Sequence, residues 1–98
     1  MAITNRSITS TEALNFMKKV LQDIDYLKVN WGNFRKTPKT LDTYQVTVDK
    51  LSDKAIGRLI ESDEVSDVYY CASMPPSGAG YGIDLRYRLY VIFNKVKL

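Results

Sequence analysis

This chain of 98 residues contains no histidine and a single cysteine, Cys71. Without histidine, the usual near-neutral general base and the commonest metal ligand are missing. One cysteine cannot close an internal disulfide, which agrees with a reducing compartment. With no imidazole to activate its thiol, Cys71 reads as a small apolar packing residue and not as a nucleophile. No apolar run approaches the ~20 residues that cross a bilayer. Met1-Ala2-Ile3-Thr4-Asn5-Arg6 holds no apolar core of the kind a secretory signal needs. The expected location is therefore cytoplasmic, and Asn5-Arg6-Ser7 reads as a chance match to the glycosylation sequon.

What the chain does contain is ordinary for a folded domain. Hydrophobic residues make up 45% and charged residues 26%, so disorder is excluded as a description of the whole. The net charge of +3 hides a division along the sequence. Residues 1–40 carry seven Lys/Arg against three Asp/Glu, residues 41–67 three against seven, and residues 68–98 four against one. A dedicated nucleic-acid binder usually has a stronger basic excess.

Residues 1–8 read as a flexible N-terminal arm, and residues 9–98 as a single α+β domain. Thr9-Ser10-Thr11-Glu12 fits a capping box. Ala13, Leu14, Met17, Val20, Leu21 and Ile24 then recur at helical spacing, so an amphipathic helix of about 14 residues is expected. Leu27, Val29 and Trp31 alternate with Lys28 and Asn30 as a strand, which Gly32 interrupts as a bulge. Arg35-Lys36-Thr37-Pro38-Lys39-Thr40 reads as the basic tip of a hairpin. Tyr44, Val46 and Val48 form its second strand. Ser52 caps a second helix, with a Leu51–Ile56 staple and a buried stripe of Ile56, Leu59 and Ile60. The acidic run Glu61-Ser62-Asp63-Glu64 ends it, because like charge is unfavourable at the negative end of the dipole.

The last third reads as two strands around a loop at residues 75–82. Val68, Tyr70, Ala72 and Met74 open the hairpin. Its second strand, Ile83–Phe93, puts Ile83, Leu85, Tyr87, Leu89, Val91 and Phe93 on one face, and Asp84, Arg86, Arg88, Tyr90, Ile92 and Asn94 on the other. The element order is α-β-β-α-β-β. The expected fold is a two-layer α+β sandwich, a four-stranded antiparallel sheet with two helices on one face. This order resembles the ferredoxin-like βαββαβ pattern with its first strand moved to the end, which puts Ile83–Phe93 at the centre of the sheet. Asp67-Val68-Tyr69-Tyr70-Cys71-Ala72 also resembles the end of an immunoglobulin variable framework, but the partner cysteine of that family is missing.

No residue set points to catalysis, a cofactor or a metal. Gly78, Gly80 and Gly82 precede a strand and not a helix, so they do not form a phosphate-cradling loop. Asp63, Glu64 and Asp67 do not match calcium-loop spacing. The expected function is non-catalytic, regulatory or inhibitory binding to a protein partner. The expected surface is the open sheet face, Arg86, Arg88, Tyr90 and Tyr69, with Tyr81 in the last loop as an anchor. One alternative is RNA or single-stranded DNA binding, with Arg35, Lys36 and Lys39 adding phosphate contacts. Another is a homodimer formed through the sheet.

Overall fold

A computed structural model describes residues 5–22, 24, 27–39, 42–50, 52–73 and 86–97. The first helix, α1 (Ser10–Leu21), begins as its sequence requires. The Thr9 hydroxyl accepts from the Glu12 N–H at 3.2 Å, and the Glu12 carboxylate accepts from the Thr9 N–H at 3.1 Å. Arg6 adds two charge-assisted bonds to the same carboxylate, at 2.6 and 2.8 Å. The Arg6 hydrogen bonds, then those from the Thr9 amide and hydroxyl, hold the Glu12 carboxyl at about 2, well below the usual carboxylate range. The buried stripe of α1 is Ala13, Met17 and Leu21, continued beyond the helix by Ile24.

Residues 5–8 are not the loose arm that their composition implies. Asn5–Arg6 forms a short strand, β1, and Ile8 is buried. Four further strands and a second helix follow: β2 (Val29–Lys36), β3 (Thr43–Val48), α2 (Asp53–Glu61), β4 (Val65–Ser73) and β5 (Arg86–Phe93). The last strand, β6 (Val96–Lys97), pairs with β1 as a separate two-stranded ladder. The short partner that ties the arm down lies some ninety residues away, so local sequence gives no sign of it.

The four long strands form an antiparallel sheet in the order β2-β3-β5-β4. The strand with the strongest apolar alternation, β5, is therefore central, where the moved first strand of a ferredoxin-like sheet would lie. The covered face carries Tyr44, Val46 and Val48 of β3 against Val91, Leu89 and Tyr87 of β5. All but Tyr87 are at most 2% exposed, and they form one core with Met17 of α1 and Leu59 of α2.

Rings link the layers. Phe34 stacks on Tyr44 (5.5 Å, 7°), Tyr44 meets Phe93 edge-on (5.8 Å, 77°), and Phe93 meets Phe16 of α1 edge-on (5.5 Å, 81°). The Tyr44 hydroxyl donates to the Ile8 carbonyl at 3.1 Å, satisfying a buried polar group.

Gly32 does mark a bulge: the β2–β3 register shifts between Asn30 and Arg35. The strand then continues through Arg35 and Lys36, which therefore are not part of the hairpin tip. Three extra residues on β2 let both Trp31 and Phe34 face the core, and that burial outweighs the polar character of Arg35-Lys36. Lys39 stays in the turn, at φ 64°.

Ser52 caps α2 as expected, accepting from the Ala55 N–H at 3.3 Å. The buried stripe differs. Ala55 and Leu59 are buried, Ile56 is half-buried and Ile60 is 54% exposed, so the helix is rotated by about one residue towards Ala55. Small Ala55 allows close approach to the sheet, and a stripe at i and i+4 cannot also include Ile60. Leu51 and its expected staple lie outside the described residues.

Two expectations follow. Glu12 is held charged in the folded chain, so its contribution is complete above about pH 4.5 and is lost as pH falls towards about 2. Thermal melts should show wild type above Glu12→Gln by a constant margin near neutrality, and the margin should close across that window. A Cβ on Gly57 would meet nothing within 4 Å. Gly57→Ala should therefore add about 1 kcal/mol, seen as a rise in Tm of roughly 4–8 °C.

Candidate functional site

The face opposite the helices is built by register. One row across it reads Arg35, Gln45, Tyr90, Tyr69, and the next reads Asn30, Thr47, Arg88, Cys71. Such rows lie about 7 Å apart, with neighbouring strands about 4.8 Å apart. The alternation of β5 thus brings Arg88, Tyr90 and Tyr69 together as expected. It also brings in Arg35, which enters this face through the bulge.

Tyr69 and Tyr90 are directly opposed and stack with ring centroids 4.6 Å apart at 8°. Tyr69 is 43% exposed, and Tyr90 is half-buried. Gln45 is only 5% exposed although its face is open, because Arg35 and Tyr90 flank it on either side. Its side-chain amide donates to the Thr37 hydroxyl at 3.3 Å.

The bulge opens a concavity of about 280 Å³ lined by Gly32, Asn33, Arg35, Gln45, Thr47 and Arg88. A smaller one of about 160 Å³ continues along the sheet past Lys28, Asn30, Asp49 and Arg86. Among the described residues the one ion pair is Arg6–Glu12, so Arg35, Arg86 and Arg88 have no carboxylate partner there. The first concavity has cations and amide or hydroxyl groups in its lining and no acid. It can hold an anionic group by charge and hydrogen bonding together.

Arg86 opens β5 on the same face, one row beyond Arg88, and is exposed. Other expected site residues fall elsewhere. Lys36 is paired opposite Tyr44, in the register of the covered face, and Lys39 is exposed in the turn, so neither lines the concavity. Tyr81, and with it the whole 75–82 loop, lies outside the described residues, as do residues 83–85 of the expected last strand. Cys71, expected to pack, is exposed, because its strand is at the sheet edge and its side chain is on the uncovered face.

Sequence reasoning also missed Tyr70. It shares the covered face with Val68 and sits edge-on to Tyr87 at 6.2 Å, yet it is 48% exposed. The cover runs out along β4: Val65 is buried and Val68 half-buried, whereas Tyr70 and Ala72 are exposed. Alternation cannot show where a helix layer stops.

A third hollow, about 460 Å³ over the helices, is lined by Phe16, Val20, Lys19, Arg58, Glu61 and Glu64. Its charges are of both signs and so do not select a ligand. No group of three or more Cys, Asp or Glu residues is placed to hold a metal among the described residues, nor is any described helix long and apolar enough to cross a membrane. No protein-family model, curated protein or solved structure matches this chain.

The exposure of Cys71 has a direct chemical consequence. Ellman's reagent should titrate one thiol per chain in the native state, at a rate close to that in denaturant. A thiol that reacts only after unfolding would contradict this placement.

Proposed function

We propose that this chain is a small non-catalytic binding protein that regulates or inhibits a protein partner by occupying its surface. The contact is the open sheet face. The Tyr69–Tyr90 pair supplies the apolar anchor, and an acidic side chain of the partner seats between Arg35 and Arg88. The observation that carries this reading is the juxtaposition of a tyrosine stack on the open face with arginines that have no carboxylate partner among the described residues. Tyrosine and arginine dominate interface hot spots because they bury large area with a polar handle.

The stack also separates protein from nucleic acid. Sheets that read bases lay aromatic rings out as platforms, one base on each. Here each tyrosine already has one ring face against its neighbour, at 8°, which leaves less surface for a base. Face-to-face dimerisation is disfavoured for another reason: it would set Arg35, Arg86 and Arg88 of two copies against one another.

The test is a comparison of immobilised wild type with an Arg88→Glu/Tyr90→Ala variant whose melting temperature is unchanged. A protein held by the wild type should bind the variant at least ~10-fold more weakly, the scale of losing one hot spot. Equal retention by the two proteins would remove the open face from the reading. Binding of single-stranded RNA that falls steeply with salt would instead establish the nucleic-acid alternative.

A further inference from the structure

The sheet has two edges, and the chain treats them differently. The β2 edge carries Lys28 beside it, Arg35 and Lys36 within it and a bulge at Gly32, all features that discourage pairing with another strand. Among the described residues the β4 edge is guarded at its start alone. A register shift lies between Val65 and Asp67, and the Asp67 carboxylate accepts from the Val68 N–H at 2.8 Å. From Val68 to Ser73 the strand holds no charge, no proline and no glycine. Tyr69 and Cys71 on one face, and Tyr70 and Ala72 on the other, are all exposed.

The backbone directions on this edge follow from the ladder. The Phe93 N–H donates to the Asp42 carbonyl on the β3 side, and the Asn94 N–H donates to the Glu64 carbonyl on the β4 side. In an antiparallel sheet these directions alternate residue by residue. Arg86, Arg88 and Tyr90 therefore turn their backbone groups to β4, where Ser73, Cys71 and Tyr69 meet them. Val68, Tyr70 and Ala72 turn theirs outward. The bond from the Val68 N–H to a side chain, and not to β5, is an independent sign of the same phase.

We propose that a second copy of this chain pairs antiparallel with this edge about a two-fold axis, joining two four-stranded sheets into one of eight strands. The register is fixed by which groups are free. Because Asp67 already occupies the Val68 N–H, the donors open among the described residues are those of Tyr70 and Ala72. Setting Tyr70 opposite Ala72 of the other copy, and Ala72 opposite its Tyr70, makes four backbone hydrogen bonds. Cys71 then lies opposite its own counterpart at a non-hydrogen-bonded site, where Cα atoms approach to about 4.5 Å. A second copy suits this edge because the uncharged stretch is its own antiparallel complement and brings no like charges together. The axis stands perpendicular to the sheet, so both helix layers stay on one side and both open faces on the other. The edge is separate from the open face, and this pairing does not rest on the function proposed above.

So short an interface implies a weak dimer, seen at high concentration. Sedimentation equilibrium under reducing conditions, up to about 1 mM chain, should show the mass rising from 11.2 kDa towards twice that value. Ala72→Pro removes an outward donor without touching the β5 ladder, and Tyr70→Lys adds a charge at the edge. Either variant should stay monomeric, and Tyr70→Lys keeps the test open if the proline disturbs folding.

The register has its own readout. Added diamide should take two electrons and two protons from a pair of Cys71 thiols and leave one disulfide between the copies. A Tyr69→Cys/Cys71→Ser chain should not cross-link, because residue 69 faces residue 73 of the other copy. Three results would overturn the proposal: a monomer throughout the range, a dimer that survives both edge variants, or cross-linking at position 69 in preference to 71.

Discussion

Tyr44 is the point at which the layers of this molecule are joined. It is 1% exposed, its ring stacks on Phe34 and meets Phe93, and its hydroxyl holds the carbonyl of Ile8 in the segment before α1. Aromatic pairs of this kind contribute about 0.5–1.5 kcal/mol each beyond their buried area. Two such pairs and a buried hydrogen bond on one side chain are a large part of the 5–15 kcal/mol typical of a whole domain. Tyr44 also fixes phase. With it inward, Val46 and Val48 must face the core, and Gln45 and Thr47 must face away.

The bulge at Gly32 is the second determinant. In an unbroken strand Phe34 would share the face of Asn30 and point away from the core. Three added residues, an odd number, reverse the phase, so Trp31 and Phe34 both reach the aromatic cluster. The same reversal moves Arg35 onto the open face beside Gln45 and opens the concavity between β2 and β3. A packing requirement on one side of the sheet thus creates the cationic hollow on the other.

The helix layer decides what else is left uncovered. It covers the beginning of β4 and not its end, so Tyr70 on the covered face reaches solvent as Tyr69 does on the open face. The arm before α1 is held in the opposite manner, by a short ladder to β6 and by the Arg6–Glu12 pair, in which both side chains are more than a third exposed. Such a pair contributes modestly to stability. Its larger consequence is positional: it sets the arm beside the helix cap and lets Ile8 enter the core.

The two helices and the four long strands, and their order, were legible because each has a local cause. Thr9 and Glu12 start one helix, Ser52 starts the other, and period-two alternation marks β3 and β5. Alternation also sorted Arg88, Tyr90 and Tyr69 onto one side, since side-chain direction in a strand is a local property. The expectations that failed depend on neighbours distant in sequence: the anchoring of residues 5–8, the strand character of Arg35 and Lys36, and the exposure of Ile60, Tyr70 and Cys71. Within β3 and β5, sequence by itself determined which residues share a face. Only the tertiary structure decided which faces and edges are covered, because coverage depends on where separate elements pack and where that packing ends.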